Sequence, residues 1–349
     1  MTAKEIIGRR LINQQIATTA FKTPQAIVGW MLAMQSQVWE MAKWGIGLRL
    51  PGSTHVTIEE AFDRGDILRT HVLRPTWHFI TPKDIRWLLT LTAPRVNAFN
   101  APYYKKMELD EKIFKKANRV LTGLLQGGKQ ADRPEIKESF DSHKIPTNDL
   151  RFMLLLMQAE LAGIICSGAR KGKQFTYALL EERVAPTRTF SREEALAELV
   201  KRYFITRGPA TIRDFVWWSG LTARDAKEGL AMNQSLFKQE KVDGVDYFFK
   251  PGLFKNEKKI QSVFLLPDYD EYGISYKDRE ILFNPKYKTS DETRSIHCLI
   301  VGGVAAGVWT KDIKQESGIA VKYFEALPAA KQVLVKKAIK RYADFFAKK

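Results

Sequence analysis

Residues 147–179 read "TNDLRFMLLLMQAELAGIICSGARKGKQFTYAL", and three signals meet in that stretch. "DLRFMLLLMQAEL" is apolar at nearly every position, as a helix buried on most of its faces is. Gly163 ends it, because a glycine just past the last turn can take the left-handed conformation that closes a helix. "IICSG" and "QFTYAL" then read as two short strands. The basic turn "ARKGK" joins them, with Arg170, Lys171 and Lys173 as cations and glycines at 168 and 172 that let a main chain approach closely. A helix followed by strand, basic turn and strand is the closing half of a winged helix, whose wing touches phosphate. A solvated surface turn is the plainer reading of the same residues. Upstream, "DEKIFKKANRVLTGLL" (110–125) predicts a helix ended by Gly127-Gly128, and "DRPEIKESFDSH" (132–143) a shorter one capped by Asp132.

The same order appears on both sides. Before it, residues 4–18 place Ile6, Ile7, Leu11, Ile12 and Ile16 on one helical face. "TPQAIVGWMLAM" (23–34) opens with Thr23 as cap and Pro24 at the first helical position. "TIEEAFDRGD" (57–66) sets Thr57 and Glu60 at capping-box spacing. "ILRTHVL" and "TWHFI" follow as strands around Arg74-Pro75. After it, "SREEALAELVKRYFITRG" (191–208) has a capping box at Ser191 and Glu194, and two further helices, "TIRDFVWWSG" and "TARDAKEGLAMN", lead to "LFKQEKV", Asp243-Gly244 and "DYFFK", a hairpin with a two-residue turn. Phe215, Trp217 and Trp218 read as core rather than as a base-stacking platform. The expected fold is mainly α with short β-hairpins (α+β). It comprises winged-helix units at 1–105, 106–186 and 187–258, then a C-terminal α+β segment at 259–349. That segment holds a strand in "SVFLLP", a hairpin turning at Gly302-Gly303 and a terminal basic helix.

Of 349 residues, 45% are hydrophobic and 27% charged, which suits a globular chain of two or three domains. The 56 Lys and Arg against 39 Asp and Glu leave a net charge of +17. That excess favours nucleic acid as a partner ahead of an anionic membrane surface. Cys166 and Cys298 lie far apart, and His55, His71, His78, His143 and His297 show no metal-ligand spacing. No metal and no cofactor is expected. "MTAKEIIGRRLINQQ" lacks the apolar centre of a signal peptide, and no run approaches the ~18 residues of a membrane span. The expected location is the cytoplasm, at the nucleoid. The helix "DLRFMLLLMQAEL" is too apolar to read a major groove, so sequence-specific readout through it is not expected.

"MQSQVW" (34–39) is the misfit. Two amides, Gln35 and Gln37, stand at the end of an apolar run that should place its polar residues on the far face. Helix-end surface residues are one reading. The segments "MQSQVWEMAKWGIGLRL", "LRTHVLRPTWHFITPKDIRWLLTLTAPRV", "RGPATIRDFVWWSGLTARDA" and "FLLPDYDEYGISYKDRE", in that order, resemble the AlkZ-like (YcaQ-like) superfamily of bacterial winged-helix DNA glycosylases. The resemblance runs from about residue 5 to about residue 310. It implies tandem winged helices around a concave basic channel, and excision of alkylated bases, from monoadducts or interstrand crosslinks. The family's Gln-x-Gln signature, near the end of an early helix, falls on Gln35 and Gln37. Ser36 stands where the family usually has an apolar residue.

The chemistry that follows is modest. An N-alkylated purine is cationic and already a good leaving group, so the enzyme exposes the nucleoside, orients a water and stabilises a cationic sugar. A glutamine has no useful pKa, yet its carbonyl accepts from a water and its dipole faces the sugar. The resemblance also favours His78 as a polar wall. In "PDYDEY" (267–272), Asp270 is the candidate carboxylate to supply the basicity that amides lack, against an ion-pair reading of Asp268, Asp270 and Glu271. Arg74, Arg170, Lys171, Lys173, Arg207 and Arg213 are the candidate phosphate contacts. The expected partner is double-stranded DNA with alkylated bases, bound by a monomer. The rival readings are a winged-helix transcription regulator, a catalytically silent family member and an RNA-binding protein.

Overall fold

Single side chains set where several helices begin. The Thr23 hydroxyl accepts from the Ala26 N–H at 3.3 Å, with Pro24 opening the helix Pro24–Met31. Asp132 and Glu135 cap each other's backbone N–H at 3.0 and 2.8 Å, and Ser191 and Glu194 do the same at 3.1 and 2.9 Å. Each cap is worth about 1 kcal/mol. Thr57 is displaced from its expected place. The helix His55–Arg64 starts earlier, and Thr54 and Thr57 exchange two backbone-to-hydroxyl bonds of 3.3 Å. Thr57 therefore fills the third helical position, which sequence spacing had given to Glu60. These elements belong to a computed structural model that describes residues 1–252, 263–283, 286, 297–312, 314–315 and 318–347.

Along the chain a run of helices closed by a hairpin recurs three times, within a mainly helical architecture of small antiparallel sheets. Its middle copy is Glu111–Leu125, Arg133–Ser142, Arg151–Leu161 and the hairpin of Ile165–Ser167 with Thr176–Leu179. A two-residue strand, Ala131–Asp132, adds to that hairpin. Two residues are too few to carry a strand period, so the sequence gives no sign of it. The helix Trp39–Arg49 also went unsignalled, because Gly45 and Gly47 dilute its pattern. Gly47 is required by packing: a Cβ there would lie 2.4 Å from the Phe345 ring. Among the described residues no helix is long and apolar enough to cross a membrane.

The contacts group the chain into two units. One holds Met1–Glu59, Ala197–Trp218 and Thr222–Lys349, and the other Glu60–Leu196 with Ser219–Leu221. The boundaries expected at 105 and 186 both fall inside the second unit, and the one at 258 lies outside the described residues. A serial division assumes that each hairpin closes its own core. Here the hairpin of Leu68–Val72 with Arg74–Ile80 shares one with the middle copy: the Arg69 N–H donates to Ser167 Oγ at 2.9 Å, and His71 bonds Glu160. Leu121, Phe140, Leu155 and Ile165 are all buried in the second unit's core. Arg151 and Glu160 are the buried charged residues of the apolar helix Arg151–Leu161.

In the first unit a four-stranded sheet packs with the terminal helix Ala329–Ala347. Its order is Ile319–Tyr323, Val304–Lys311, Cys298–Val301 and Val263–Leu265. Trp44, Trp309, Tyr342 and Phe345 are buried with it, and the two indole N–H groups donate to the carbonyls of Leu265 and Leu266 at 2.7 and 2.9 Å. Both predicted two-residue turns form. Val301 pairs with Val304 around Gly302-Gly303, and Val242 with Val245 around Asp243-Gly244, with positive φ at all four turn residues.

Candidate active site

The glutamines are not on a helix. Pro24–Met31 stops because Leu32 takes φ +65°, and Ala33–Gln35 is extended. Leucine rarely adopts that conformation, which is held only where its surroundings over-determine it. They do so here through the main chain. Arg207 donates from Nη1 to the Met31 carbonyl and from Nη2 to the Ala33 carbonyl, both at 2.9 Å. The Gln35 N–H donates to Glu271 Oε1 at 2.9 Å. The Gln35 side-chain carbonyl oxygen is buried and, among the described residues, accepts no hydrogen bond. Gln37 is exposed and Ser36 is buried.

Behind this segment lie two buried ion pairs, made by adjacent carboxylates. Glu271 Oε2 accepts from Arg207 Nη2 at 2.7 Å, Ser275 Oγ at 2.7 Å and Trp218 Nε1 at 3.0 Å. Arg207 completes its five donations with Ser275 Oγ at 3.0 Å and Thr206 Oγ1 at 2.8 Å. Burial pushes the Glu271 carboxyl up, but Arg207, the Ser275 hydroxyl and the Gln35 N–H outweigh it and hold the group at about 2. Asp270 takes Arg49 in a fork of 2.7 and 2.8 Å, and Arg49 also reaches the Gly45 carbonyl and both carbonyl oxygens of Gln14. Asp268 faces His297 at 3.2 Å instead, and burial raises the first group and lowers the second.

Two expected roles change accordingly. Arg207 is fully buried with every N–H engaged, so it cannot be a phosphate contact. Asp270 has both oxygens on Arg49 and is buried, which is the geometry of a structural pair rather than of a base. Glu271, ionised down to about pH 2, is no better a proton acceptor. The "PDYDEY" carboxylates hold arginines, and one of those arginines holds the glutamine segment. Sequence reasoning missed Arg207 and Glu271 as partners because 64 positions separate them. The usable signal was Arg207, an ionisable residue inside the largely apolar stretch "YFITRGPA" (203–210).

The remaining candidates lie elsewhere. In the second unit His78 is fully buried, pairs across the hairpin with Thr70, and donates from Nδ1 to the Thr76 carbonyl at 2.9 Å. Its neighbour Trp77 pairs with His71 and lies under Arg69, 3.9 Å from guanidinium to ring, consistent with adjacent strand residues facing opposite ways. Burial pulls Arg69 down to about 10. Arg74 is half-buried. Arg170 grips Asp63 through its backbone N–H and guanidinium at 2.9 to 3.2 Å, Lys171 pairs with Glu135 at 2.9 Å, and Lys173 is exposed. In the first unit Arg213 is exposed. Trp218 is buried as expected, whereas Trp217 is 37% exposed, with Lys277 over its ring at 4.4 Å.

This architecture has a solved counterpart. The DNA glycosylase AlkZ of Streptomyces sahachiroi superposes with a TM-score of 0.80 over 99% of this chain and 97% of that one, at 19% identity, a likeness that carries the fold. The family described as "DNA glycosylase AlkZ-like" matches residues 28–345. The chain belongs to that AlkZ-like family. A curated relative, the "Interstrand DNA cross-link repair glycosylase" of Streptomyces sahachiroi, is 19% identical over 226 residues, 63% of this chain. The chain matches 61% of that relative's length.

Proposed function

We propose that this chain is a DNA glycosylase of base excision repair. It hydrolyses the N-glycosidic bond of alkylated purines in double-stranded DNA, both monoadducts and interstrand crosslinks, without a cofactor. Family membership supports the reaction class, and the relative's crosslink-repair name supports the crosslink arm. The observation that carries the reading is the Gln35 carbonyl oxygen, buried and without a partner among the described residues, on a backbone fixed at Met31, Ala33 and Gln35.

A buried acceptor left unpaired costs about 1–3 kcal/mol. A water at a reaction centre would satisfy it. In the proposed step that water is oriented by the Gln35 and Gln37 amides and its oxygen bonds to the sugar C1′. The C1′–N9 bond breaks, its electron pair leaves with the purine, and the cationic alkylpurine departs neutral. The water's proton goes to solvent. No lysine Schiff base is needed, so the enzyme is monofunctional.

Each helix–hairpin copy acts as a winged helix, and a monomer binds DNA at the nucleoid. Exposed Lys171, Lys173 and Arg213, with Arg74 and Arg170, supply phosphate contacts. The test is incubation with a duplex carrying 7-methylguanine or a nitrogen-mustard crosslink, with mass spectrometry for the released base and alkaline cleavage for abasic sites. Base release that a Gln35→Ala/Gln37→Ala variant loses supports the proposal. A wild type that binds the duplex and releases nothing is a DNA-binding protein and ends it.

A further inference from the structure

We infer that Arg207 and Glu271 are positioning residues for the Gln35–Gln37 segment, acting on catalysis through the backbone they grip. The inference rests on the glycosylase reading above and adds the device that aims its amides. The pair touches the main chain at alternate residues, carbonyl 31, carbonyl 33 and N–H 35. Within the extended stretch Ala33–Gln35, carbonyl 33 and N–H 35 point to the same edge, and the Met31 carbonyl is held just ahead of it. One edge of the segment is therefore locked while its side chains stand clear of the lock. The left-handed Leu32 lies inside the gripped stretch, where relaxation would rotate everything after it.

A purely structural role makes a different prediction, and the molecule contains the comparison. Arg49–Asp270 is equally buried and equally satisfied, and its carboxylate is the adjacent residue. Its bonds, however, go to Gln14, Gly45 and the Tyr272 N–H, and none to residues 31–37. If buried ion pairs here only stabilised, weakening either one would slow base release through the folded fraction alone. If Arg207–Glu271 aims the amides, its weakening slows the chemistry of folded enzyme.

The test uses full-length Arg207→Lys, which keeps the charge but has three donors for Arg207's five contacts. Single-turnover base release from a 7-methylguanine duplex is measured with duplex Kd and Tm, beside Asp270→Asn as the stability-matched comparison. The expected result is a slowing of about 100-fold for Arg207→Lys, the size a displacement of about 1 Å produces, with Kd within about threefold. Asp270→Asn is expected to slow release at least tenfold less at equal folded fraction. Equal single-turnover rates in Arg207→Lys and wild type overturn the inference, as does equal slowing in the two variants. Should Arg207→Lys not fold, hydrogen exchange on wild type decides. The Gln35 amide is expected to exchange as slowly as the core amides, and exchange at open-loop rates overturns the inference. A wild type without base release ends the glycosylase reading instead, and the two failures are told apart.

Discussion

The segment around Gln35 and the turn Arg170–Lys173 are both polar interruptions of apolar sequence, yet they use charge in opposite ways. Arg207 lies in the protein interior with all five donors spent on carbonyls, hydroxyls and a carboxylate. Lys171 and Lys173 stand in solvent, one beside a single glutamate and one exposed at the tip. A cation without access to solvent cannot meet a phosphate, but it can fix a backbone. An exposed cation fixes little and remains able to meet an anion. The net +17 therefore mixes two populations, and residue identity does not separate them.

Removing a partner from the buried population has the largest expected effect. Glu271→Ala strands Arg207 and is expected to lower stability by about 3–5 kcal/mol, read by urea denaturation. A loss under 1 kcal/mol would erase the contrast with the surface turn. Acid is the gentler probe. Glu271 is held at about 2, below the ordinary glutamate range, so its contribution is complete above about pH 5 and fades as pH falls toward 2. That contribution is about 3 kcal/mol, and Tm measured from pH 7 to pH 3 should fall less steeply in Glu271→Gln.

How much of this contrast the sequence carried depends on the element. Caps at Thr23, Asp132 and Ser191 and turns at Asp243-Gly244 and Gly302-Gly303 were legible, because each rests on a local rule about one or two residues. The three helix–hairpin copies were legible for the same reason. The grouping into two units was not, since it depends on which hairpin shares a core with which helix, as Arg69 with Ser167 and His71 with Glu160. In the candidate site, Gln35 and Gln37 stood out as amides beside an apolar run, but their helix ended early at Leu32, whose positive φ no local signal announces. Asp270 and Arg207 stand out in the sequence by charge, and charge alone does not tell a buried pair from a reactive or DNA-facing group. Glu271 stands out in the sequence only as part of an acidic cluster.

The turn should respond more weakly, Arg170 in stability and Lys173 in affinity. Arg170→Ala breaks the grip on Asp63 and is expected to cost about 1 kcal/mol of stability in a denaturant titration. Lys173→Ala should leave Tm unchanged, weaken duplex binding a few fold whatever the sequence, and reduce the slope of log affinity against log salt by about 1. An unchanged salt slope would remove this turn from the DNA-binding surface.

The central claim is that the amides at 35 and 37 act on the glycosidic bond while the ionisable residues behind them hold the backbone. The most direct measurement is single-turnover release of 7-methylguanine by Gln37→Ala, with duplex Kd measured in parallel. Gln37 is exposed, so the fold should survive the change. The expected rate is at least about 100-fold lower, the size seen when one preorganised polar group is removed, with Kd within about threefold. Release at the wild-type rate would contradict it.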